Sequence, residues 1–333
     1  MLSVLDHDRN GSEELVGFAQ GAGLDAEPHR YFVKEVKPGQ SRRINGLSTF
    51  CVLLLMALGL AIIFGQMGVI NMAHGEFLTI GAYTTYLMSV VSETWFPQLF
   101  ETYFVMAVVL AFVVAAAVGL LVEHFMIRHL YKRPLDSLLA TWGLSLIMQQ
   151  IFRSTFGPKE VSATLPNWLM GSLQPTDSID IPINGLLVMG LSVLLTGGVF
   201  YALFRTRWGV KVRATTQNRA ISGAVGIDTR RVDRQSFALG CGLAGIAGSA
   251  FTTIGSTGPT SGSLYIVDTF LVVVFGGAES LIGTIASAFS IAQAQSTTEF
   301  FITGSMAKVL TLCVVILILM VRPQGLFAVS VRR

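Results

Sequence analysis

Apolar runs separated by short polar stretches fill the chain from residue 44 onward, at 44–65, 77–92, 102–127, 137–153, 182–204, 235–257, 265–275, 281–294 and 305–321. A helix needs about 20 predominantly apolar residues to cross a ~30 Å hydrocarbon core, and several of these runs are long enough. The pattern predicts an all-α, polytopic membrane helix bundle. Residues 1–43 break with it: they contain no apolar run, and they carry seven acidic and six basic residues. They read as a soluble, poorly ordered tail ending at Arg42-Arg43 on the cytoplasmic face. No basic start followed by an apolar stretch marks them as a secretory signal.

Composition agrees with the pattern. Of 333 residues, 52% are hydrophobic and 13% charged, with a mean hydropathy of +0.63. About 25% charge is usual for a soluble domain, so a two-domain soluble protein is excluded. Cys51, Cys241 and Cys313 all lie in apolar runs, which excludes a disulfide-built ectodomain.

The positions of the charges predict sidedness, because cytoplasmic loops concentrate Lys and Arg. Residues 205–234 hold eight basic residues against Asp228 and Asp233. Arg128, Lys132 and Arg133 mark a second cytoplasmic loop, and Arg322, Arg332 and Arg333 a cytoplasmic C-terminal end. Residues 93–101 and 155–181 carry five acidic residues and one lysine, which fits the outside. With Arg43 and Arg128 both inside, the chain between them must cross an even number of times. Three full apolar runs are visible there, so a fourth passage is expected in the eleven residues 66–76. At about 1.5 Å per residue these span only half the core, so they are expected as a half-helix or re-entrant piece buried by protein.

A second discontinuity is expected at Gly276-Gly277-Ala278-Glu279, between two short runs. In both places a long helix precedes a short piece and a glycine–glutamate break. Leu78-Thr79-Ile80-Gly81 then follows in one, and Leu281-Ile282-Gly283 in the other. This points to an internal repeat of the kind whose broken helices line transport paths.

Candidate chemistry lies where polar groups interrupt the spans. Ser137, Thr141, Ser145, Gln149 and Arg153 recur every four residues, forming one helical stripe. Polar groups are costly against lipid, so the stripe faces a path or bonds to neighbouring helices. Asn71, His74, Glu76 and Glu279 are intramembrane polar or ionisable groups, either lining a path or capping helix ends. Ala107, Ala111, Ala115 and Gly119, like Gly240, Ala244 and Gly248, read as close-packing stripes. No metal site is expected: His74 has no second ligand at helical spacing, and His124 and His129 sit at the cytoplasmic edge.

Within the basic loop, residues 215–225 read as a short helix, with Thr215 or Thr216 as cap and Gly226 as stop. Its apolar face is small for a lipid anchor, which favours a groove in a partner protein. None of the six lysines precedes Ser or Thr, so there is no P-loop, and no H-E-x-x-H or G-x-S-x-G motif occurs. The chain is expected to be no enzyme; any ATPase must be another chain. No cofactor and no nucleic-acid partner are expected.

Two stretches, Gly68-Val69-Ile70-Asn71-Met72-Ala73-His74-Gly75-Glu76 and Arg322-Pro323-Gln324-Gly325-Leu326-Phe327, resemble signatures of the branched-chain amino-acid/urea class of ABC-importer permeases. Other stretches are more similar to the urea permease subunit: Arg133-Pro134-Leu135, Leu139-Ala140-Thr141-Trp142-Gly143, and Leu165-Pro166-Asn167-Trp168-Leu169-Met170-Gly171. Thr216-Gln217-Asn218-Arg219-Ala220 and Val272-Val273-Val274-Phe275-Gly276-Gly277 agree. The likeness covers about residues 44–328. Two features depart from it: the 43-residue tail, and Ala278-Glu279 where a Val-Gly pair is common.

The resemblance implies a permease domain over 44–329, a short C-terminal tail (330–333) and a multi-pass place in the bacterial cytoplasmic membrane, with both termini cytoplasmic. It implies urea import by alternating access, with branched-chain or other amino acids as the alternative solutes. A stand-alone channel for a small neutral solute is the reading from a different class. The substrate path expected from the polar groups within the spans is Asn71, His74, Glu76, Thr141, Ser145, Gln149 and Glu279. The implied ATPase-coupling helix presents Gln217, Arg219, Ala220, Ile221, Ala224 and Val225. Implied partners are a second homologous permease subunit, two ATPase subunits that bind the ATP, an extracytoplasmic solute-binding protein and the lipid bilayer.

Overall fold

The computed structural model describes residues 38–131, 133–176, 179–277, 280–299, 301–322 and 325. Residues 1–37 of the expected tail and all of the C-terminal tail lie outside them. Helix α1 (Pro38–Met67) starts within the stretch read as tail. It stops at Gly68, whose φ of +65° and N–H bond to the Phe64 carbonyl (2.9 Å) form a left-handed cap. After a non-helical stretch, 68–73, come α2 (His74–Trp95) and α3 (Tyr103–Val122). The last continues through a π-helical turn, Glu123–Ile127, to Leu130. Next come α4 (Pro134–Phe156), a small antiparallel hairpin of β1 (Ser172–Thr176) and β2 (Ile179–Pro182), and α5 (Ile183–Arg205). The chain then forms α6 (Arg207–Gln217), α7 (Arg219–Ala224), α8 (Thr229–Phe251), α9 (Ser261–Gly276), α10 (Leu281–Thr298) and α11 (Gly304–Val321).

Among the described residues, four helices are long and apolar enough to cross a membrane: Gly46–Met67, Tyr103–Leu130, Ile183–Arg205 and Gly304–Val321. They divide into one axis and three outer members. Of the apolar window of α1, 78% is buried in protein, against 17% for α11. Around α1, the more polar and glycine-rich α8 makes a close backbone contact: a Cβ on Gly59 would lie 2.5 Å from the Gly240 carbonyl oxygen. The small-residue stripes do what their spacing predicts. Ala107, Ala111 and Ala115 are fully buried, and a Cβ on Gly245 would meet Ala111 and Ala115 at 2.6 Å.

Contacts along the helices set their directions. Gln66, at the end of α1, meets Asp233 at the start of α8, whereas Gly46 packs on Ser296 near the end of α10. α2 rises along α8, from Phe77 against Phe237 to Thr85 bonded to Ser249, and α3 descends again, with Gly119 on Cys241. Gly325, just beyond α11, packs on Gly277.

This geometry corrects the parity count. The N-terminal end of α1 lies at the end of the bundle opposite the basic loop 205–234, so both cannot be cytoplasmic. Three passages, not four, separate it from Arg128. Nor are residues 66–76 a half-helix: Gln66 and Met67 finish α1, His74–Glu76 begin α2, and only 68–73 are irregular. The discontinuity is still re-entrant, because the His74 ring reaches the Met56 carbonyl, roughly 16 Å back along α1 at 1.5 Å per residue. The two breaks also differ in backbone. Gly75 is helical, while Gly277 ends α9 with a φ of +91°.

Candidate functional site

Every helix broken inside a membrane exposes backbone groups that need partners. Here Asn71 meets part of that need. Its side-chain oxygen accepts from the Ala73 N–H (3.1 Å), and its carbonyl accepts from His74 N–H (3.2 Å). The Met72 N–H donates to Thr141 Oγ1 (3.1 Å), which ties the break to α4. His74 is fully buried, with Nε2 3.2 Å from the Met56 oxygen. A carbonyl only accepts, so this bond places the proton on Nε2 and leaves Nδ1 as an acceptor without a partner among the described residues.

Glu76 lies one half-turn further along α2, also fully buried. Its Oε1 accepts three hydrogen bonds, from Ser145 Oγ (2.9 Å), Gln149 Nε2 (3.0 Å) and Ser263 Oγ (3.3 Å). Gln149 also donates to Ser263 Oγ (2.7 Å). The other carboxylate oxygen, Oε2, is buried without a partner among the described residues. Two glycines make this meeting possible. A Cβ on Gly75 would lie 2.2 Å from the Gly262 oxygen, and one on Gly262 would lie 2.3 Å from the Gly75 oxygen. The starts of α2 and α9 therefore touch through backbone, and Ser263 reaches Glu76.

The structure thus brings together Asn71, His74, Glu76, Thr141, Ser145 and Gln149 from the sequence-derived set. Glu279 lies outside the described residues. Of the α4 stripe, Ser137, Thr141 and Ser145 are buried, Gln149 is half-buried and Arg153 is exposed. Ser263 and the Met56 carbonyl were missed: a serine in the first turn of an apolar helix carries no periodic signal, and a backbone oxygen carries none at all. Among the described residues no group of three or more His, Cys, Asp or Glu could hold a metal ion.

The basic loop contains two helices where one was expected. Thr215 and Thr216 do not cap; their hydroxyls bond back to the Lys211 and Val212 carbonyls inside α6, which ends at Gln217. Asn218 starts the next helix, its side-chain oxygen accepting from the Ile221 N–H (3.0 Å). Arg219, Ala220 and Ile221 follow, and after Ala224 and Val225 the chain turns at Gly226, with φ +90°. Ile221 and Val225 are 61% and 76% exposed, an apolar face with no cover from the described residues. Arg219 instead turns inward to a fully buried carboxylate, Asp233.

Comparison with known proteins places this architecture. A family model described as "Branched-chain amino acid transport system / permease component" matches residues 42–319. The high-affinity branched-chain amino acid transport system permease protein LivH of Salmonella typhimurium is 24% identical over 314 residues, covering 90% of this chain and 97% of that protein. The corresponding permease protein BraD of Pseudomonas aeruginosa is 24% identical over 292 residues, 85% of this chain and 94% of its own. No solved structure matches the chain significantly. These relatives are transport components rather than enzymes. With apolar helices throughout and a match over most of its length, the chain belongs to the branched-chain amino acid permease family of ABC-type importers.

Proposed function

We propose that this chain carries branched-chain amino acids across the bacterial cytoplasmic membrane as one permease subunit of an ABC importer. A second permease subunit, two ATPase subunits and an extracytoplasmic solute-binding protein complete the machine. The path runs past Asn71, His74, Glu76, Thr141, Ser145 and Gln149. One observation carries this: the Glu76 carboxylate is buried beside the break with one oxygen saturated and the other without a partner among the described residues. A buried acceptor without a partner is costly, and an arriving ammonium or N–H group relieves that cost. Ile80, Met148 and Phe152, in the adjoining apolar cluster, suit an aliphatic side chain. The named solutes of the relatives favour an amino acid over urea.

Urea is the second reading. It is favoured by the motif resemblance and by the neutrality of every hydrogen-bonding neighbour of Glu76, which leaves a solute carboxylate uncompensated. A stand-alone channel would have no use for the uncovered apolar face of α7.

Proteoliposomes holding the full complex should accumulate radiolabelled leucine in an ATP-dependent way, and the isolated chain should hydrolyse no ATP. Accumulation of urea without leucine would transfer the assignment to the second reading. Sidedness follows from the basic loop: a cysteine at residue 221 should label from the cytoplasm, and a tag ahead of α1 should be reached from outside. Labelling of both from one side would overturn that topology.

A further inference from the structure

Five side chains from separate parts of the sequence meet where α1 ends. Asp233, in the second turn of α8, is fully buried and holds the Arg219 guanidinium. Its other oxygen, Oδ1, accepts from Gln66 Nε2 at 3.3 Å. The Arg219 guanidinium carbon lies 5.2 Å from the centre of the Tyr131 ring, and the Tyr131 hydroxyl donates to buried Glu123 at 2.9 Å. Burial and the nearby Asp233 and Glu123 carboxylates push the Tyr131 hydroxyl upward, so it stays a donor. Two buried carboxylates thus share the neighbourhood of one guanidinium.

The ends of this chain of contacts give it meaning. Arg219 is the first residue of α7, the short helix with the uncovered apolar face. Gln66 is the last residue but one of α1, two residues before Gly68 and the break that leads to Glu76. We propose that Arg219, Asp233 and Gln66 form a latch that passes displacement of α7 to the buried break, coupling ATP hydrolysis to opening of the path.

The physical reason is asymmetry. A buried carboxylate that loses its cation is far costlier than an intact pair is stabilising. If α7 moved alone, Asp233 would be stranded, so α8 and the end of α1 move with α7 while the pair holds. A cavity of about 840 Å³ lined by Met67, Arg128, Tyr131, Arg219 and Arg230 lies alongside and gives these elements room to shift. The latch rests on the reading that α7 docks on the ATPase. A plain staple between α7 and α8 makes a different prediction: its loss would lower the amount of assembled complex and leave the transport-to-hydrolysis ratio unchanged.

The test uses the reconstituted full complex and measures ATP hydrolysis and solute uptake together. Asp233→Asn and Arg219→Gln should retain the ATPase subunits and hydrolyse ATP at close to the wild-type rate. Uptake per ATP should fall about tenfold, as expected for losing a hydrogen bond between charged groups. Arg219→Lys, which keeps the charge, should recover most of the ratio. If Asp233→Asn does not assemble, Arg219→Gln decides, since that side chain is partly exposed. An unchanged ratio in assembled Arg219→Gln complexes overturns the latch. Ile221→Asp separates the docking reading: full ATPase retention in that variant overturns docking, whatever the Arg219 variants show.

Discussion

The break around Glu76 and the face of α7 both set side chains against their surroundings. One places a carboxylate, an imidazole and amides in the apolar interior; the other leaves Ile221 and Val225 exposed. They differ in where the compensation comes from. Glu76 draws three donors from α4 and α9 of its own chain, because a buried polar group needs a partner wherever the chain can supply one. Nothing among the described residues covers the Ile221 and Val225 face of α7. On the docking reading proposed above, that face is completed by another chain. Damage to the first region should therefore appear in folding and transport, and damage to the second in assembly.

The severest challenge to this contrast is Gly262→Val. Its Cβ would lie 2.3 Å from the Gly75 carbonyl oxygen, and backbone cannot swing aside as a side chain can. The loss should exceed about 3 kcal/mol, the upper end of ordinary overpacking, and be visible as collapse of monodisperse protein in size exclusion. Normal yield and melting would mean that the α2–α9 contact is looser than described.

Ile221→Asp should come next, and only in assembly. Burying an isoleucine in a partner's groove contributes about 1.5–3 kcal/mol, and a charge placed there adds a desolvation cost. Pull-down of the ATPase subunits should fall at least roughly tenfold, with the melting temperature of the isolated chain unchanged. A fall in melting temperature would make α7 part of the fold instead.

Gln149→Leu should be milder, because Ser145 and Ser263 still reach Glu76. Leucine forfeits the bonds Gln149 donates to Glu76 and Ser263, about 0.5–1.5 kcal/mol each, which predicts uptake at least about twofold lower with normal assembly. Unaltered uptake kinetics would assign the stripe to helix packing. Smallest of all should be Val109→Ala, on the lipid-facing side of α3, where substitution away from packed features stays within about 0.5 kcal/mol. A large effect there would reveal a protein partner on that face.

Much of this was legible in the sequence, for local reasons. The apolar runs foretell the bundle because in hydrocarbon each segment must satisfy its backbone internally, and i→i−4 bonding does so without long-range help. Gly226 was recognisable as a stop, and Thr141, Ser145 and Gln149 as one face, because both depend on residues a turn apart. What followed from distant partners was not legible. Ser263 joins Glu76 across 187 positions, and Arg219 joins Asp233 only because the loop folds back on α8.

The side of the membrane on which α1 starts belongs to the same class. Counting passages from charge alone required a fourth crossing in 66–76, since Arg42-Arg43 resembled every other basic cytoplasmic edge. The tertiary structure needs none. Residues 68–74 can climb back beside α1 because the Met56 carbonyl, Thr141 and Asn71 receive the N–H groups of His74, Met72 and Ala73. Whether a short polar stretch crosses, turns or re-enters is decided by what waits at that depth to bond with it. Sequence by itself determined which segments are helical and which faces are polar; only the packed helices determined depth, direction and partner.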